Sequence, residues 1–131
     1  MAYYVIMLTS MPRESQERIE PLLPLSLPIF HMLLALSEGE RHGYALKREI
    51  SRRTDGQINL ASGALYGSIN RMLRDALIVE SEERPDPHLD DERRRYYAIT
   101  PLGRRVLQAE AVRLRNLVSL AESRLKVEGI A

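Results

Sequence analysis

Only 57-QINLA-61 separates two segments of helical apolar spacing. A connection this short forces the two helices to lie beside each other, and few arrangements satisfy it. Upstream, 42-HGYALKREISRRTDG-56 places Tyr44, Ala45, Leu46 and Ile50 on one stripe and stops at Gly56. Downstream, 62-SGALYGSINRMLRDALI-78 begins with Ser62 in a capping position. On a helical wheel, Leu65, Ile69, Met72, Leu73 and Ala76 share one side of that segment. Gly63, Gly67, Asn70, Arg71 and Arg74 lie opposite, with Tyr66 on the flank. The pair predicts a helix-turn-helix.

The flanking segments extend the pattern. Residues 26-SLPIFHMLLALSEGE-40 read as a mostly apolar, buried helix, capped by Ser26, with Pro28 in its first turn and Gly39 as its stop. After Ala76, 77-LIVESEE-83 reads as a strand and 84-RPDPHLDDERR-94 as a polar loop. The aromatic, β-branched stretch 95-RYYAIT-100 reads as a second strand. Thr100 and Pro101 then open one long helix that runs to Gly129. Helix, helix, helix, hairpin, helix is the order of a winged helix-turn-helix. The expected fold is therefore mainly α with a small β-hairpin. Residues 1–24 form an N-terminal extension, either an arm or an extra helix. Residues 25–100 form the winged domain, a candidate for DNA binding, and 101–131 a C-terminal dimerisation helix.

Composition bounds the function classes. With 131 residues, 44% of them hydrophobic, the chain has enough apolar material for a single core. The net charge of +1 says little, but its distribution says more. From Arg41 to Arg74 there are seven basic residues against the acids Glu49 and Asp55, and from Arg93 to Arg105 five arginines and no acid. The acids gather in 14-ESQERIE-20, 80-ESEE-83 and 90-DDE-92. Segregation of this kind is a footprint for polyanions. The chain has no cysteine, which excludes disulfides and Cys-based zinc sites and fits a cytoplasmic location. No apolar run reaches membrane-spanning length, and 1-MAYYVIML-8 lacks the charged start of a signal peptide.

The outer side of 62–78 suits a helix entering a DNA major groove. Small residues near its start admit a close approach, unpaired N–H groups there favour phosphate oxygens, and Asn and Arg can read base edges. A solvated helix whose glycines merely cost stability is the plainer alternative. Arg93, Arg94 and Arg95 stand beside the second strand, either to reach the DNA backbone or to solvate a loop. In the last helix Leu107, Ala111, Leu114, Val118, Ala121 and Leu125 recur at heptad spacing, a seam expected to pair two copies. Leu102, Val106, Leu117 and Leu120 widen that apolar face.

Three stretches together, 42-HGYAL-46, 63-GALYGSINRMLRDALI-78 and 94-RRYYAITPLGRRVL-107, resemble the PadR family of bacterial transcriptional regulators. The resemblance covers roughly residues 25–125. It implies a winged-helix homodimer that represses transcription, binds double-stranded DNA and is often released by a small-molecule effector. Tyr44 matches the family's tyrosine at the start of the second helix, near DNA phosphates. Ser62, Gly63 and Tyr66 match the start of its recognition helix, and Arg94 and Arg95 the basic pair before the tyrosines of the wing. Gly67 stands where many members have proline, Ala76 replaces a common glycine, and Glu92 occupies a position that is often arginine. Residues 1–24 have no assignable counterpart. Some relatives bind flat drugs between tryptophans, whereas this chain has no Trp and Phe30 as its one phenylalanine. That aromatic sandwich is therefore not available in the same form, and the sequence identifies no effector.

The DNA-contacting set expected from residues and resemblance together is Tyr44, Lys47, Ser62, Gly63, Tyr66, Asn70, Arg71, Arg74, Arg94 and Arg95. Two recognition helices are expected about 34–36 Å apart, on successive turns of a pseudo-palindromic operator. No enzyme, cofactor, metal or membrane partner is expected. His31 lies in an apolar helix and reads as a core or interface histidine. His42 reads as a cap or phosphate contact. His88 with Asp86, Asp90, Asp91 and Glu92 reads as a solvated wing tip rather than a hard-metal site. A winged helix used for protein–protein contacts, without DNA binding, is the alternative.

Overall fold

The computed structural model describes residues 19–81 and 95–125. They belong to two compact units. Residues 25–104 make up one, and residues 19–24 with 105–125 belong to the other.

The first unit runs α1 (Leu27–Ser37), β1 (Arg41–His42), α2 (Gly43–Arg53), α3 (Ser62–Arg74), β2 (Ile78–Ser81) and β3 (Tyr96–Ile99). It ends in the first turn of α4 (Pro101–Leu125). The three strands form one antiparallel sheet in the order β1-β3-β2. Ile78 lies opposite Ile99 and Ser81 opposite Tyr96, which fixes the hairpin register. Helix α1 begins where the Ser26 hydroxyl accepts the amide N–H of Ile29, with Pro28 in the first turn. Its buried residues Ile29, Met32, Leu33, Ala35 and Leu36 make it the central core helix. It packs on α2, α3 and β3. Leu46 and Ile50 of α2 are also buried, as are Leu65, Ile69 and Met72 of α3. Leu46, Ile50, Leu65, Ile69 and Met72 of the stripes read from the sequence thus face the core. Tyr44, placed on the same stripe as Leu46, is exposed, because its position at the start of α2 turns it away from α1 and α3.

Motif residues near the start of α4 close this unit. The Thr100 hydroxyl donates to the Ala76 carbonyl at 2.6 Å and accepts the Gly103 amide at 2.9 Å. It caps α4 and fastens that helix to the end of α3. A Cβ on Gly103 would lie 2.1 Å from the Leu77 carbonyl oxygen, so only glycine lets α4 start so close to β2.

Several local expectations are corrected. The residue flanking α3 at its N-terminus is Ala61, not Ser62. Ala61 is extended, and its carbonyl already accepts the Leu65 amide at 2.9 Å. The helix therefore starts one residue earlier than the serine rule places it, without a side-chain cap. Ala76 is not on the helical stripe. It is exposed, with φ of 59°, in the left-handed conformation that follows a helix end. The second helix ends at Arg53 rather than running to Gly56, because Asp55 and Gly56 both take positive φ. Strand β1 was not expected. Two residues are too few for an apolar period, and their pairing with Tyr96 and Tyr97 defines them. The predicted wing loop and the last residues of the long helix lie outside the described residues.

In the second unit, a 3-10 turn spans Glu20–Leu22 and α4 continues from Arg105. Ile19, Val106, Leu107 and Ala109 are buried, and so is Glu110, which forms an ion pair with Arg113.

Candidate nucleic-acid interface

Many of the basic residues counted from the sequence hold the fold together. Arg53 donates two hydrogen bonds to Glu38, at 2.7 and 2.8 Å, and a third to Glu49 at 2.8 Å. Arg52 donates to the same Glu49 at 2.5 and 3.3 Å. With two guanidinium groups on it, first Arg52 and then Arg53, the Glu49 carboxyl is held down at a pKa of about 2. Arg41 pairs with Glu38 at 3.5 Å and donates to the Ala35 carbonyl. Arg104 donates to the Ser37 carbonyl. Arg41, Arg53 and Arg104 therefore converge on the C-terminal end of α1, where carbonyl groups lack helical partners.

Helix α3 is different. Ser62, Gly63, Tyr66, Gly67, Asn70, Arg71 and Arg74 are all exposed. A Cβ built on Gly63 or Gly67 meets nothing within 4 Å among the described residues, whose packing therefore does not require either glycine. Arg71 has no carboxylate within ion-pair distance among the described residues, and Arg74 has only a loose approach to Asp75 at 3.6 Å. The N-terminus of α3 has no side-chain cap and no acid in its first turn, which leaves its amide groups free for an anion.

One corner joins α3 to α2. Gly43 opens α2, and a Cβ there would lie 3.3 Å from the Tyr66 ring and from Ile69. This close approach brings Tyr66, at 43% exposure, beside the start of α2, where Tyr44 is 58% exposed. Lys47 lies one turn further along, half-buried. His42 caps α2 through Nδ1, which accepts the Ala45 amide at 3.1 Å. Its ring also meets Tyr96 edge-on, which ties β3 to the same corner. Tyr97 is buried in the sheet. That burial, together with the Glu80 carboxylate, pushes its phenol above the usual range.

On the wing, Arg95 is exposed and approaches Glu80 across the hairpin at 3.7 Å. Arg94 lies outside the described residues, as do Glu92 and the His88 cluster. His31 is half-buried, and its Nδ1 is buried without a hydrogen-bond partner among the described residues. Among the described residues, no group of His, Cys, Asp and Glu could hold a metal ion, and no helix is long and apolar enough to cross a membrane.

A family model described as "Transcriptional regulator PadR-like family" matches residues 32–109, more than half of the chain. The chain belongs to this family. It is 34% identical over 87 residues to a transcriptional regulator of Mycobacterium tuberculosis, covering 66% of this chain and 75% of that one. It is also 34% identical over 80 residues to an uncharacterised 37.1 kDa protein of a Streptomyces fradiae transposon. That match takes in 61% of this chain but only 21% of the transposon protein. Among solved structures, a PadR family transcription regulator of Clostridium difficile superposes with a TM-score of 0.62 at 20% identity, over 76% of this chain and 99% of that one. The winged helix-turn-helix fold is shared.

As a PadR-like regulator, the chain places its sequence-predicted residues in two groups. Tyr44, Lys47 and the α3 residues from Ser62 to Arg74 belong to neighbouring helices of one unit, and Arg95 stands at the foot of the wing. Sequence reasoning missed Arg48, whose guanidinium lies 5.1 Å from the centre of the Tyr44 ring. The four-residue spacing within one helix was the available signal.

The candidate dimer seam divides. Leu107 is buried within the chain and offers no free surface. Ala111 is exposed and Ala121 half-buried, while Leu114, Val118 and Leu125 are exposed at 38%, 44% and 71%. Leu117 and Leu120 are exposed beside them, at 46% and 47%.

Proposed function

We propose that this PadR-like protein is a transcriptional repressor that binds a pseudo-palindromic operator as a homodimer. The observation that carries the reading is the outer face of α3. It is bare at Gly63 and Gly67, uncapped at its start, and cationic at Arg71 and Arg74, with neither arginine closely paired among the described residues. Tyr44, Lys47 and Ser62 contact phosphates, while Asn70 and Arg74 reach base edges. Arg94 and Arg95 bring the wing to the backbone. In this division of labour residues 25–104 read DNA, and α4 beyond Arg104 pairs two copies. The exposed Leu114, Leu117, Val118 and Leu125 support that pairing, because a run of large apolar side chains on one helix is seldom left in water. Release by a small-molecule effector is part of the reading and rests on the family resemblance.

Selection of bound duplexes from a random pool at two salt concentrations tests the reading. A two-fold-symmetric consensus is expected, with affinity falling steeply as salt rises, because neutralised phosphates release counterions. Enrichment of no sequence, with binding indifferent to salt, would leave a protein-interaction module instead. Leu114→Asp is expected to give monomers in sedimentation and to weaken operator binding together with dimerisation. A Leu114→Asp protein that stays dimeric would remove α4 from the interface.

A further inference from the structure

Among the described residues, two hydroxyls and one imidazole cap helices. Ser26 accepts the Ile29 amide at the start of α1, and Thr100 accepts the Gly103 amide at the start of α4. Neither hydroxyl titrates near neutral pH. Helix α2 differs. Its cap is His42, whose Nδ1 accepts the Ala45 amide at 3.1 Å. Only an unprotonated Nδ1 can accept, so this geometry requires the neutral ring with its proton on Nε2. An imidazole ordinarily gains a second proton between about pH 5 and 8. A proton on Nδ1 turns the acceptor into a donor that faces another N–H. It also places a positive charge at the positive end of the helix dipole. Both effects act against the cap.

The cap sits where the wing meets the helix-turn-helix. His42 pairs with Tyr96 of β3, which in turn lies opposite Ser81 of β2. Residues opposite one another on neighbouring strands share a face, so His42, Tyr96 and Ser81 form one row across the sheet. The His42 and Tyr96 rings meet edge-on, with centroids 5.5 Å apart and planes at 88°. Ser81 donates to Glu40 at 2.7 Å, which closes the row onto the residue before β1. On the helical side, Gly43 follows His42 directly and packs against Tyr66 of α3. One imidazole therefore joins the first turn of α2, and with it Tyr44, to the foot of the wing. The charged and titratable groups that face it among the described residues are Glu40 and Tyr96 in this row, Arg41 beside it on β1, Tyr44 on α2 and Tyr66 on α3. The Arg95–Glu80 pair lies on the opposite face of the sheet.

We propose that His42 is a proton-sensitive positioning residue, which holds the wing and the start of α2 together while its ring is neutral and releases them when Nδ1 takes up a proton. It acts through Tyr44 and Tyr96 rather than by touching a base. The inference rests on the DNA-binding reading and adds a regulation to it: operator affinity falls in mild acid. The capped state needs the neutral ring, so its contribution is complete above the imidazole range and is lost as pH falls through it. On the scale of one helix N-cap, the loss is roughly fivefold in affinity per protomer.

The test measures operator binding and, without DNA, thermal unfolding of wild type, His42→Asn and His42→Ala from about pH 8 to about pH 5. Asparagine caps a helix through a side-chain oxygen that does not titrate, so His42→Asn should keep the cap throughout. At about pH 8 it should bind operator within about twofold of wild type, and His42→Ala should bind roughly fivefold more weakly. Near pH 5 wild type should approach His42→Ala, while His42→Asn holds its affinity. In unfolding, wild type should lose melting temperature relative to His42→Asn as pH falls. His31 and His88 are common to all three proteins, so the difference between the wild-type and His42→Asn profiles isolates His42. Parallel profiles for those two proteins would overturn the proposal and leave the DNA-binding reading standing. So would a wild-type affinity that rises in acid where that of His42→Asn does not, since the imidazolium would then be a phosphate contact. If wild type binds no duplex at about pH 8, the DNA-binding reading falls by itself, and the unfolding profiles still decide whether His42 is a proton-sensitive cap.

Discussion

The arginines around the end of α1 and those along α3 are chemically identical and do opposite work. Arg53 closes Glu38 and Glu49 into one network and is itself only 20% exposed at its side chain. Arg74 is 72% exposed and has only a loose carboxylate neighbour. The first kind stabilises the helix-turn-helix, and the second leaves it a free cationic face. Net charge along the sequence counts the two alike. A carboxylate within reach distinguishes them, and Glu38 sits 15 residues from the arginine it holds.

Removing Arg53 should have the largest effect. Arg53→Ala leaves Glu38 with only its looser pairing to Arg41, removes half of the Glu49 pairing, and is expected to cost about 2–3 kcal/mol of stability in urea unfolding. Its effect on the ratio of operator to scrambled binding should be nil once the protein is folded. A variant of unchanged stability would dissolve the contrast. Arg74→Ala should do the reverse, with stability within about 0.5 kcal/mol of wild type. Operator binding should weaken by about 1–3 kcal/mol if the side chain reads a base, with preference relaxed at one position. A uniform loss across sequences would assign Arg74 to phosphate.

Acid sharpens the same contrast through Glu49. Its folded pKa, about 2, lies below the ordinary 4.5. A depressed carboxyl contributes stability that is complete above about pH 4.5 and is lost as pH falls toward 2. Glu49→Gln should therefore be less stable than wild type at neutral pH by about 1–2 kcal/mol, between the values for exposed and buried charged pairs. The gap should close as pH falls toward 2. A gap that stays constant with pH would mean that Glu49 acts by packing rather than charge.

How far the sequence reveals these features depends on which physical effect sets them. Burial on α1, α2 and α3 was legible because apolar residues recur at the helical period, and that period decides which face meets the core. Ser62 misled because a helix start is fixed by the backbone, here the extended Ala61 and its carbonyl, and composition reports this only on average. Ala76 misled for the same reason. The family's common glycine at this position now has a cause, since φ is 59° and a Cβ is strained there. Leu107 fits the heptad as well as Leu114 does, yet one is buried and the other open. Periodicity names the apolar side and cannot say which partner covers it. A recess along α2, lined by Tyr44, Arg48 and Asn59 among others, was half legible. Tyr44 and Arg48 lie four apart on one helix, but Asn59 reaches them only through a loop fold that Thr54 secures.

The smallest expected effect tests whether the bare face of α3 has a use at all. A glycine in a helix interior costs about 0.5–1 kcal/mol relative to alanine. At Gly67 an added Cβ meets no atom of the described residues within 4 Å. Gly67→Ala should therefore stabilise the protein by that amount in urea unfolding, since the methyl group lowers backbone entropy in the unfolded chain without a clash in the folded one. If α3 lies in the major groove, the same methyl group stands between helix and duplex, and operator affinity should fall while stability rises. Opposite signs on the two axes would show that the glycine is kept for the partner and not for the fold. A stability gain with undiminished affinity would mean that the duplex never comes close to Gly67, and the groove contact would have to be shifted toward Asn70 and Arg74.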